Sequence, residues 1–392
     1  MRYEFFTPAK IVFGWDRFSE AGALAASLGR RAFIVSGSRS LERAGTVQRL
    51  EELLRKANVE PVRLGTLTRE PRIEDVDRMT AALPAIAAAG SGATDLVIGI
   101  GGGSAVDLAK AVAARATNRQ SSTVMDYLEG VGKGLKIEND PLPVLAIPTT
   151  AGTGSEATKN AVISSDNPPF KKSLRSDKMV PRAVLVDPRL TVSNPPSVTA
   201  ASGMDALTQL IESYISGRAQ PIPSAIAIQT IPLAARSLER AFRDPECRTA
   251  REEMAQAALI SGMALANSGL GFAHGVAAAL GITCNVAHGL ACAAMLPAAL
   301  RVNREARRRE IAEIGRVLTG NSSLSEDDAS RAAAGAAADL GARIGIPQRL
   351  RELGVRREQL PELVKGSRGN SMSANPVEVS DDQLGRILED LL

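Results

Sequence analysis

The chain has 392 residues, which is long for a single hydrophobic core, so two domains are expected. It is 44% hydrophobic and 23% charged, the composition of a globular protein, and its basic residues are interleaved with acids although the formal net charge is +4. Aromatic residues make up only 3% of the chain, which leaves almost no surface on which bases could stack, so a nucleic-acid partner is not expected.

The cysteines and the apolar runs indicate a cellular compartment. Cys247, Cys284 and Cys292 show no paired spacing, which fits a reducing environment. The first residues lack the apolar core of a secretory signal. Every long apolar run is interrupted by glycine, serine or charge before it reaches the roughly 18 residues of a spanning helix. We therefore expect a cytoplasmic protein without a membrane partner.

The first half of the chain has an alternating pattern. Up to about Pro188, short apolar runs rich in β-branched residues alternate with stretches of helical periodicity. The runs predicted as strands are 32–35, 96–100, 144–147 and 183–186, and the clearest helices are 41–57 and 104–116. Continuously apolar strands separated by helices predict a parallel sheet with helices on both faces.

The second half of the chain is different. From about Ser197 onward the strand pattern disappears, and alanine-rich helical segments follow, such as 250–265 and 327–344. We therefore predict an α/β N-terminal domain with a parallel Rossmann-like sheet, residues 1–188, followed by an all-α C-terminal domain, residues 189–392.

A glycine-rich turn follows the predicted strand 96–100. The strand runs into Gly101-Gly102-Gly103-Ser104, and a helix containing Asp107 comes next. Glycines let a backbone approach a phosphate closely, and a helix N-terminus offers free N–H groups and the positive end of its dipole. Ser104 is predicted as the N-cap. An ordinary tight turn between strand and helix remains the alternative.

A second turn of small residues follows the predicted strand 144–147. Residues 148–156 are dense in glycine and hydroxyl side chains and include Thr149, Thr150 and Thr153. Two such turns at the carboxyl ends of neighbouring parallel strands form the crevice where α/β sheets bind nucleotides. Together the two turns favour a dinucleotide site.

The second half carries a group of polar residues in an otherwise apolar context. Asp205 and Gln209 are four residues apart and so share one helix face. The only two histidines of the chain are His274 and His288, and one continuous helix would hold them about 21 Å apart. The pattern breaks at 281–285, so the chain could fold back and bring both rings to one metal ion. The alternative is unrelated polar residues in a buried helix pair.

Read together, these motifs resemble the iron-containing (group III) alcohol dehydrogenase family, within the dehydroquinate synthase-like superfamily. The resemblance covers essentially the whole chain and implies a dehydroquinate synthase-like fold and NAD(P)-linked alcohol–aldehyde interconversion with one divalent metal. It is carried by residues 6–14, Gly101–Ser104 with Asp107, 148–156, 186–188, 203–206, His274, His288, 345–347 and 375–376.

The resemblance implies a metal site with one departure. The family's metal carboxylate falls on Asp205 and its last two histidines on His274 and His288, but its first metal histidine falls on Gln209. A neutral amide oxygen is a weaker ligand than imidazole, so both metal affinity and the choice between iron and zinc are open. Related glycerol dehydrogenases hold zinc with one Asp and two His, whereas maleylacetate reductases are thought to work without metal. Ala278 is a second departure, where many members carry another histidine.

The resemblance also implies the dinucleotide residues. NAD-preferring relatives tend to place an acid at the position of Gly37, where this chain continues with Ser38, Arg39 and Ser40, so NADP is favoured over NAD. A plain turn with an exposed Arg39 is the alternative. The residues implied in cofactor binding are Gly37, Ser38, Gly101, Gly102, Gly103, Ser104, Asp107, Thr149, Thr150, Thr153, Asn160 and Lys171.

The function implied is hydride transfer between an alcohol and nicotinamide, with the metal at Asp205, His274 and His288 as a Lewis acid and Gln209 near it. A small alcohol or aldehyde is the expected partner, and a homodimer or higher homo-oligomer is the expected assembly. The alternatives are a metal-independent reductase similar to maleylacetate reductase, a nucleotide-binding homologue without turnover, and a dehydroquinate synthase-type lyase. The lyase is disfavoured because residues 197–300 lack a cationic site for carboxylate and phosphate. The pattern carries no signature for a particular substrate.

Overall fold

The computed structural model describes residues 2–83 and 95–392. These residues form two compact units. Apart from residues 1 and 84–94, which lie outside the description, the sheet unit comprises Phe6–Thr150 and Ser155–Thr191, and the helical unit comprises Met1–Phe5, Ala151–Gly154 and Val192–Leu392. The sequence places the domain boundary at 188/189, inside the short 3₁₀ helix Pro188–Thr191 that ends the sheet unit, but it gives no sign of the exchanged segment Ala151–Gly154.

The sheet unit is built on a six-stranded, all-parallel sheet, which confirms the predicted fold class. The strand order is β1-β8-β5-β4-β2-β3, and a separate antiparallel pair is formed by β6 and β7. The strands are β1 Lys10–Phe13, β2 Arg31–Gly37, β3 Glu60–Leu67, β4 Asp95–Gly101, β5 Val144–Pro148, β6 Asn160–Asp166, β7 Pro169–Arg175 and β8 Ala183–Val186. The helices are α1 Ala21–Ala26, α2 Arg39–Arg43, α3 Thr46–Lys56, α4 Ile73–Ala82 and α5 Gly103–Thr117.

The burial of the central strands explains why helices lie on both faces of the sheet. Every residue of β4 and β5 is buried, so both faces of these strands need apolar cover. Helix α5 lies very close to β4, because a side-chain Cβ at Gly99 would come within 2.8 Å of the Cβ of Ala109. This close packing fixes the start of α5 next to the carboxyl end of β4.

The start of α5 corrects one prediction. The N-cap is Gly102 and the helix begins at Gly103, so the prediction of Ser104 as the N-cap was wrong by two residues. Gly102 has extended backbone angles, and its carbonyl accepts the first hydrogen bond of the helix, from the amide of Ala105 at 3.0 Å. The helix therefore starts at the glycines themselves and presents backbone amides there rather than a serine cap.

The helical unit contains no strand among the residues that are described. Its helices are α6 Pro196–Ile215, α7 Pro221–Arg243, α8 Arg248–Ser268, α9 Phe272–Thr283, α10 His288–Asn303, α11 Arg308–Thr319, α12 Glu326–Arg343, α13 Leu360–Gly366 and α14 Asp381–Leu391. The predicted break at 281–285 is present, since α9 ends at Thr283 and α10 begins at His288. Within the described ranges no single helix is long and apolar enough to cross a membrane, although α8 and α9, bent by 101° at their junction, meet those criteria as a pair.

The exchanged segment packs tightly within the helical unit. Gly154 has a positive φ of 60°, and a Cβ there would lie 2.4 Å from the backbone of Gly262 on α8. A Cβ at Gly152 would lie 2.6 Å from the side chain of Ser202 on α6. Only glycine allows this approach, so the segment Ala151–Gly154 is a fixed part of the helical unit.

Candidate metal centre and dinucleotide loops

Four ligand side chains from three helices meet in the helical unit. Asp205 lies on α6, His274 on α9, and His288 and Cys292 on α10, and one potential ligand atom of each lies within 4.8 Å of all the others. Asp205 Oδ1 is 3.3 Å from His274 Nε2 and 3.9 Å from His288 Nε2. The two histidine rings are 5.5 Å apart between centroids. The fold-back at Cys284–Ala287 is what brings the two rings together.

Two buried atoms of this cluster have no hydrogen-bond partner among the described residues. They are Asp205 Oδ1 and His274 Nε2. Nδ1 of His274 lies 2.7 Å from a carboxylate oxygen of Glu212, and because a carboxylate only accepts, Nδ1 carries the proton. In the neutral imidazole, Nε2 of His274 therefore presents a lone pair toward the lone pairs of Asp205 Oδ1, 3.3 Å away. Such an arrangement is unfavourable alone and fits a cation between the two atoms.

The electrostatics of the cluster favour positive charge. Interaction with Cys292, together with Asp205, outweighs the effect of burial and raises the pKa of His288 to about 9. Burial opposes the charged form of His274, but Cys292, Asp205 and Glu212 outweigh it and raise its pKa well above 6.5. Burial also disfavours the charged form of Asp205, yet the two imidazoles lower its pKa. The cluster therefore attracts cations, whether protons or a metal ion.

Glu212 supports the cluster and was not predicted from the sequence. Its carboxylate accepts hydrogen bonds from the amides of Gly271, Ala273 and His274, at 3.1, 2.6 and 3.3 Å, as well as from the His274 ring. It therefore fixes the N-terminus of α9 and the tautomer of His274 together. The available signal was its position seven residues after Asp205, on the same face of α6.

Gln209 lies beside the cluster but its amide oxygen is engaged. The side chain is buried, and Oε1 accepts a hydrogen bond of 2.7 Å from the hydroxyl of Ser261 on α8. The atom that would bind a metal thus already has a partner. Metal ligation by Gln209 stays a prediction.

Cys292 is the second residue that sequence reasoning missed. It is fully buried, and its Sγ lies 3.6 Å from Nε2 of His288. In the sequence it reads as one more small apolar residue of an alanine-rich helix. Its position four residues after His288, on one helix face, was the signal that could have found it.

In the sheet unit the predicted glycine turn lies where three strands end. Gly101 has a φ of 149°, and a Cβ there would lie 2.8 Å from the Cα of Gly37 at the end of β2. A Cβ at Gly37 would in turn lie 3.0 Å from the Cβ of Ala105. The amide of Thr149, just after β5, donates to the carbonyl of Gly101 at 2.8 Å. The ends of β2, β4 and β5 are thus adjacent, with the N-terminus of α5 beside them.

The other residues predicted to bind the cofactor lie in different parts of the structure. Gly102 and Gly103 begin α5 with Ser104 in its first turn, and a Cβ at Gly102 would contact the side chain of Thr150 at 3.5 Å. Ser38 is exposed at the N-cap of α2 with a φ of 59°. Thr153 belongs to the helical unit.

Three polar members of the predicted set hold the β6–β7 hairpin. Asp107 accepts from the amide of Val162 at 2.9 Å and from the Ser155 hydroxyl, and it lies 3.2 Å from the ammonium of Lys110. Lys171 is paired with Glu70 at 2.7 Å. The backbone carbonyl of Asn160 accepts a hydrogen bond from the Lys110 ammonium, while the side-chain Oδ1 of Asn160 is buried and has no hydrogen-bond partner among the described residues. Asp107 and Lys171 therefore have structural partners, and cofactor contact by all three stays a prediction.

Comparison with known proteins places this arrangement in a family. Residues 8–188 match the family "Iron-containing alcohol dehydrogenase", and residues 199–392 match "Fe-containing alcohol dehydrogenase family, C-terminal". The chain is 35% identical over 364 residues to Long-chain-alcohol dehydrogenase 1 of Geobacillus thermodenitrificans (strain NG80-2), covering 91% of this chain and 89% of that protein.

Solved structures agree. A 1,3-propanediol oxidoreductase has a TM-score of 0.92 and 30% identity, with all of both chains covered. A sulfoacetaldehyde reductase from Bifidobacterium kashiwanohense, solved in complex with NAD+, has a TM-score of 0.85 and 30% identity over 100% of this chain and 99% of that one. The chain therefore belongs to the iron-containing alcohol dehydrogenase family, and it is an oxidoreductase that interconverts alcohols and aldehydes with NAD.

Proposed function

We propose that hydride transfer in this enzyme is assisted by a divalent cation held by Asp205, His274 and His288. The observation that carries the proposal is a pair of buried atoms, Asp205 Oδ1 and His274 Nε2, which lie 3.3 Å apart and have no hydrogen-bond partner in the part of the chain that the structure describes. When bound, such a cation supplies Lewis-acid polarisation of the alcohol or carbonyl oxygen.

The protein's own residues prepare that site. Glu212 holds His274 in the tautomer whose Nε2 is free to bind. Asp205 and His274 are almost completely buried, whereas the His288 side chain is 40% exposed, so the site is open on the His288 side. A small alcohol or aldehyde would approach from this side. Because neither histidine remains free once bound, proton exchange with solvent falls to water or hydroxyl groups.

We propose that the dinucleotide binds at the ends of β2, β4 and β5 and that NADP is accepted at least as well as NAD. The amides that begin α5 and the glycines at 101–103 suit the pyrophosphate. At the end of β2 no carboxylate stands at Gly37, where it would repel a 2′-phosphate, and exposed Ser38 and Arg39 follow. An arginine there suits a phosphate.

Arg39→Ala is expected to lower kcat/KM with NADP about tenfold, a loss of about 1.4 kcal/mol of binding, and to leave NAD turnover unchanged. The reason is that the guanidinium would contact only the extra phosphate of NADP. Arg43→Ala is the matched control, since Arg43 is exposed one turn later on α2. Equal losses with both cofactors, or strong NAD preference in the unmodified enzyme, would contradict the proposal.

The proposed function is tested by assaying the purified protein with NAD and NADP against a series of short alcohols and aldehydes, with metal analysis of the same sample. Turnover that follows the metal content supports the proposal. Undiminished turnover in a chelated, metal-free sample would favour the metal-independent reductase, and nucleotide binding without turnover would favour the inactive homologue.

We further propose that the enzyme is cytoplasmic and assembles as a homodimer or higher homo-oligomer. All three cysteines are free in the structure, which is consistent with a reducing compartment. Sedimentation of the purified protein measures the assembly.

A further inference from the structure

We propose that Cys292 is a fourth protein ligand of the cation, so that the centre is an Asp205–His274–His288–Cys292 set that selects zinc over iron. The inference rests on the proposed function, because it concerns the same ion.

The spacing of the four ligand atoms fits one tetrahedral ion, to which the substrate oxygen would add as a fifth ligand on the exposed His288 side. Bonds of about 2.3 Å to sulfur and about 2.0–2.1 Å to nitrogen or oxygen place sulfur and nitrogen ligands about 3.6 Å apart, and nitrogen and oxygen ligands about 3.3 Å apart. Cys292 Sγ lies 3.6 Å from His288 Nε2, and His274 Nε2 lies 3.3 Å from Asp205 Oδ1. With all four atoms within 4.8 Å of one another, small side-chain rotations suffice to reach one ion.

The position of Cys292 on α10 directs its sulfur into the polar cluster. Cys292 and His288 are one helical turn apart and so lie on the same face of α10. A fully buried cysteine in an alanine-rich helix usually packs in apolar surroundings. Here the sulfur instead faces two imidazoles and a carboxylate, two of which have partnerless atoms.

Charge balance favours the thiolate as a ligand. Asp205 alone, with two neutral imidazoles, leaves one net positive charge on a divalent ion and its direct ligands, since the nearby Glu212 carboxylate is already compensated by the three amides that begin α9. A Cys292 thiolate makes the complex neutral. The thiol proton is released to solvent when the ion binds, as is general for cysteine ligands.

The sulfur also compensates for the absence of an imidazole at position 209. The resemblance places the family's first metal histidine at Gln209, whose amide oxygen accepts a hydrogen bond of 2.7 Å from the Ser261 hydroxyl. With Cys292, which lies on α10 rather than on α6, the number of protein ligands is again four. Because thiolate is a soft ligand, this exchange moves the preference from iron toward zinc.

X-ray absorption of the zinc-loaded full-length protein tests the proposal directly. We expect a sulfur scatterer at about 2.3 Å beside nitrogen and oxygen scatterers at about 2.0–2.1 Å. The sulfur scatterer is absent in Cys292→Ser and retained in Cys284→Ser, the matched control, because Cys284 is a half-buried cysteine outside the cluster. Competition between zinc and ferrous iron gives a second readout, in which Cys292→Ser lowers the preference for zinc at least about tenfold.

The outcomes separate the two proposals. Zinc bound with only nitrogen and oxygen scatterers in the unmodified protein overturns ligation by Cys292 while leaving the metal-assisted function intact. Failure of the unmodified protein to bind zinc or cobalt in stoichiometric amount overturns both. The spectrum of the unmodified protein decides the question even if the Cys292 variant does not fold.

Discussion

Replacing His288 with alanine is expected to remove most of the bound metal and to lower kcat/KM about a hundredfold or more. Nε2 of His288 is one of the atoms that converge on Asp205, at 3.9 Å, and no other imidazole is available to replace it. Lewis-acid stabilisation of the reacting oxygen is worth several kcal/mol, and each about 1.4 kcal/mol is tenfold in rate. Metal content by elemental analysis and steady-state kinetics on the same preparation measure the two effects.

The control for His288→Ala is nucleotide binding. Affinity for ADP, measured by titration calorimetry, should stay within about twofold, because the glycine turn that suits the phosphates belongs to the sheet unit. Full activity of the variant in a metal-free preparation would refute the metal-assisted mechanism. Loss of ADP binding together with activity would instead indicate a general loss of structure.

Glu212→Gln is expected to weaken metal binding ten- to hundredfold, the usual range for a carboxylate that orients a metal-binding histidine. The amide cannot accept from all four N–H groups that now point at the carboxylate, so the tautomer and orientation of His274 are no longer fixed. Competition against a chromogenic chelator measures the affinity, and thermal unfolding of the metal-free protein measures the structural cost.

Asn375→Ala is the matched control for Glu212. Asn375 Oδ1 accepts from the amide of Phe272 at 3.1 Å, so it also supports the N-terminus of α9. No described hydrogen bond joins it to the His274 ring. We expect Asn375→Ala to lower the unfolding temperature and to leave metal affinity nearly unchanged. If both variants lose the same affinity, Glu212 acts by holding the helix rather than the histidine.

The fold could be predicted from the sequence where burial is uniform. Strands β2, β4, β5 and β8 each contain a continuous buried apolar run and were identified, and the helical second half was recognised from alanine-rich periodicity. The strands that escaped prediction lie at sheet edges or outside the main sheet. β1 is short, β3 contains Pro61 and Arg63, and the β6–β7 hairpin alternates polar with buried positions. A strand with one solvated face resembles a loop in composition.

The candidate metal site could likewise be predicted only in part from the sequence. The histidine pair was found because histidine is rare in this chain and because the break between α9 and α10 is marked by glycine and asparagine. Glu212 and Cys292 were missed because a buried carboxylate and a buried thiol look like an ordinary helix residue and a small core residue. Their roles depend on how α6, α9 and α10 pack, and helical periodicity describes only one helix at a time.

The exchanged segment Ala151–Gly154 has a consequence for how the protein can be made or divided. The chain passes between the two units four times, after Phe5, Thr150, Gly154 and Thr191. If the gene were divided after residue 191, the C-terminal fragment would lack Gly154, which packs against Gly262. In the N-terminal fragment, residues 151–154 would lack the helices of the helical unit against which they pack. During synthesis on the ribosome, residues 151–154 cannot pack against Gly262 until α8 has been made. Neither unit is continuous along the chain, so we expect that neither folds fully when it is expressed alone.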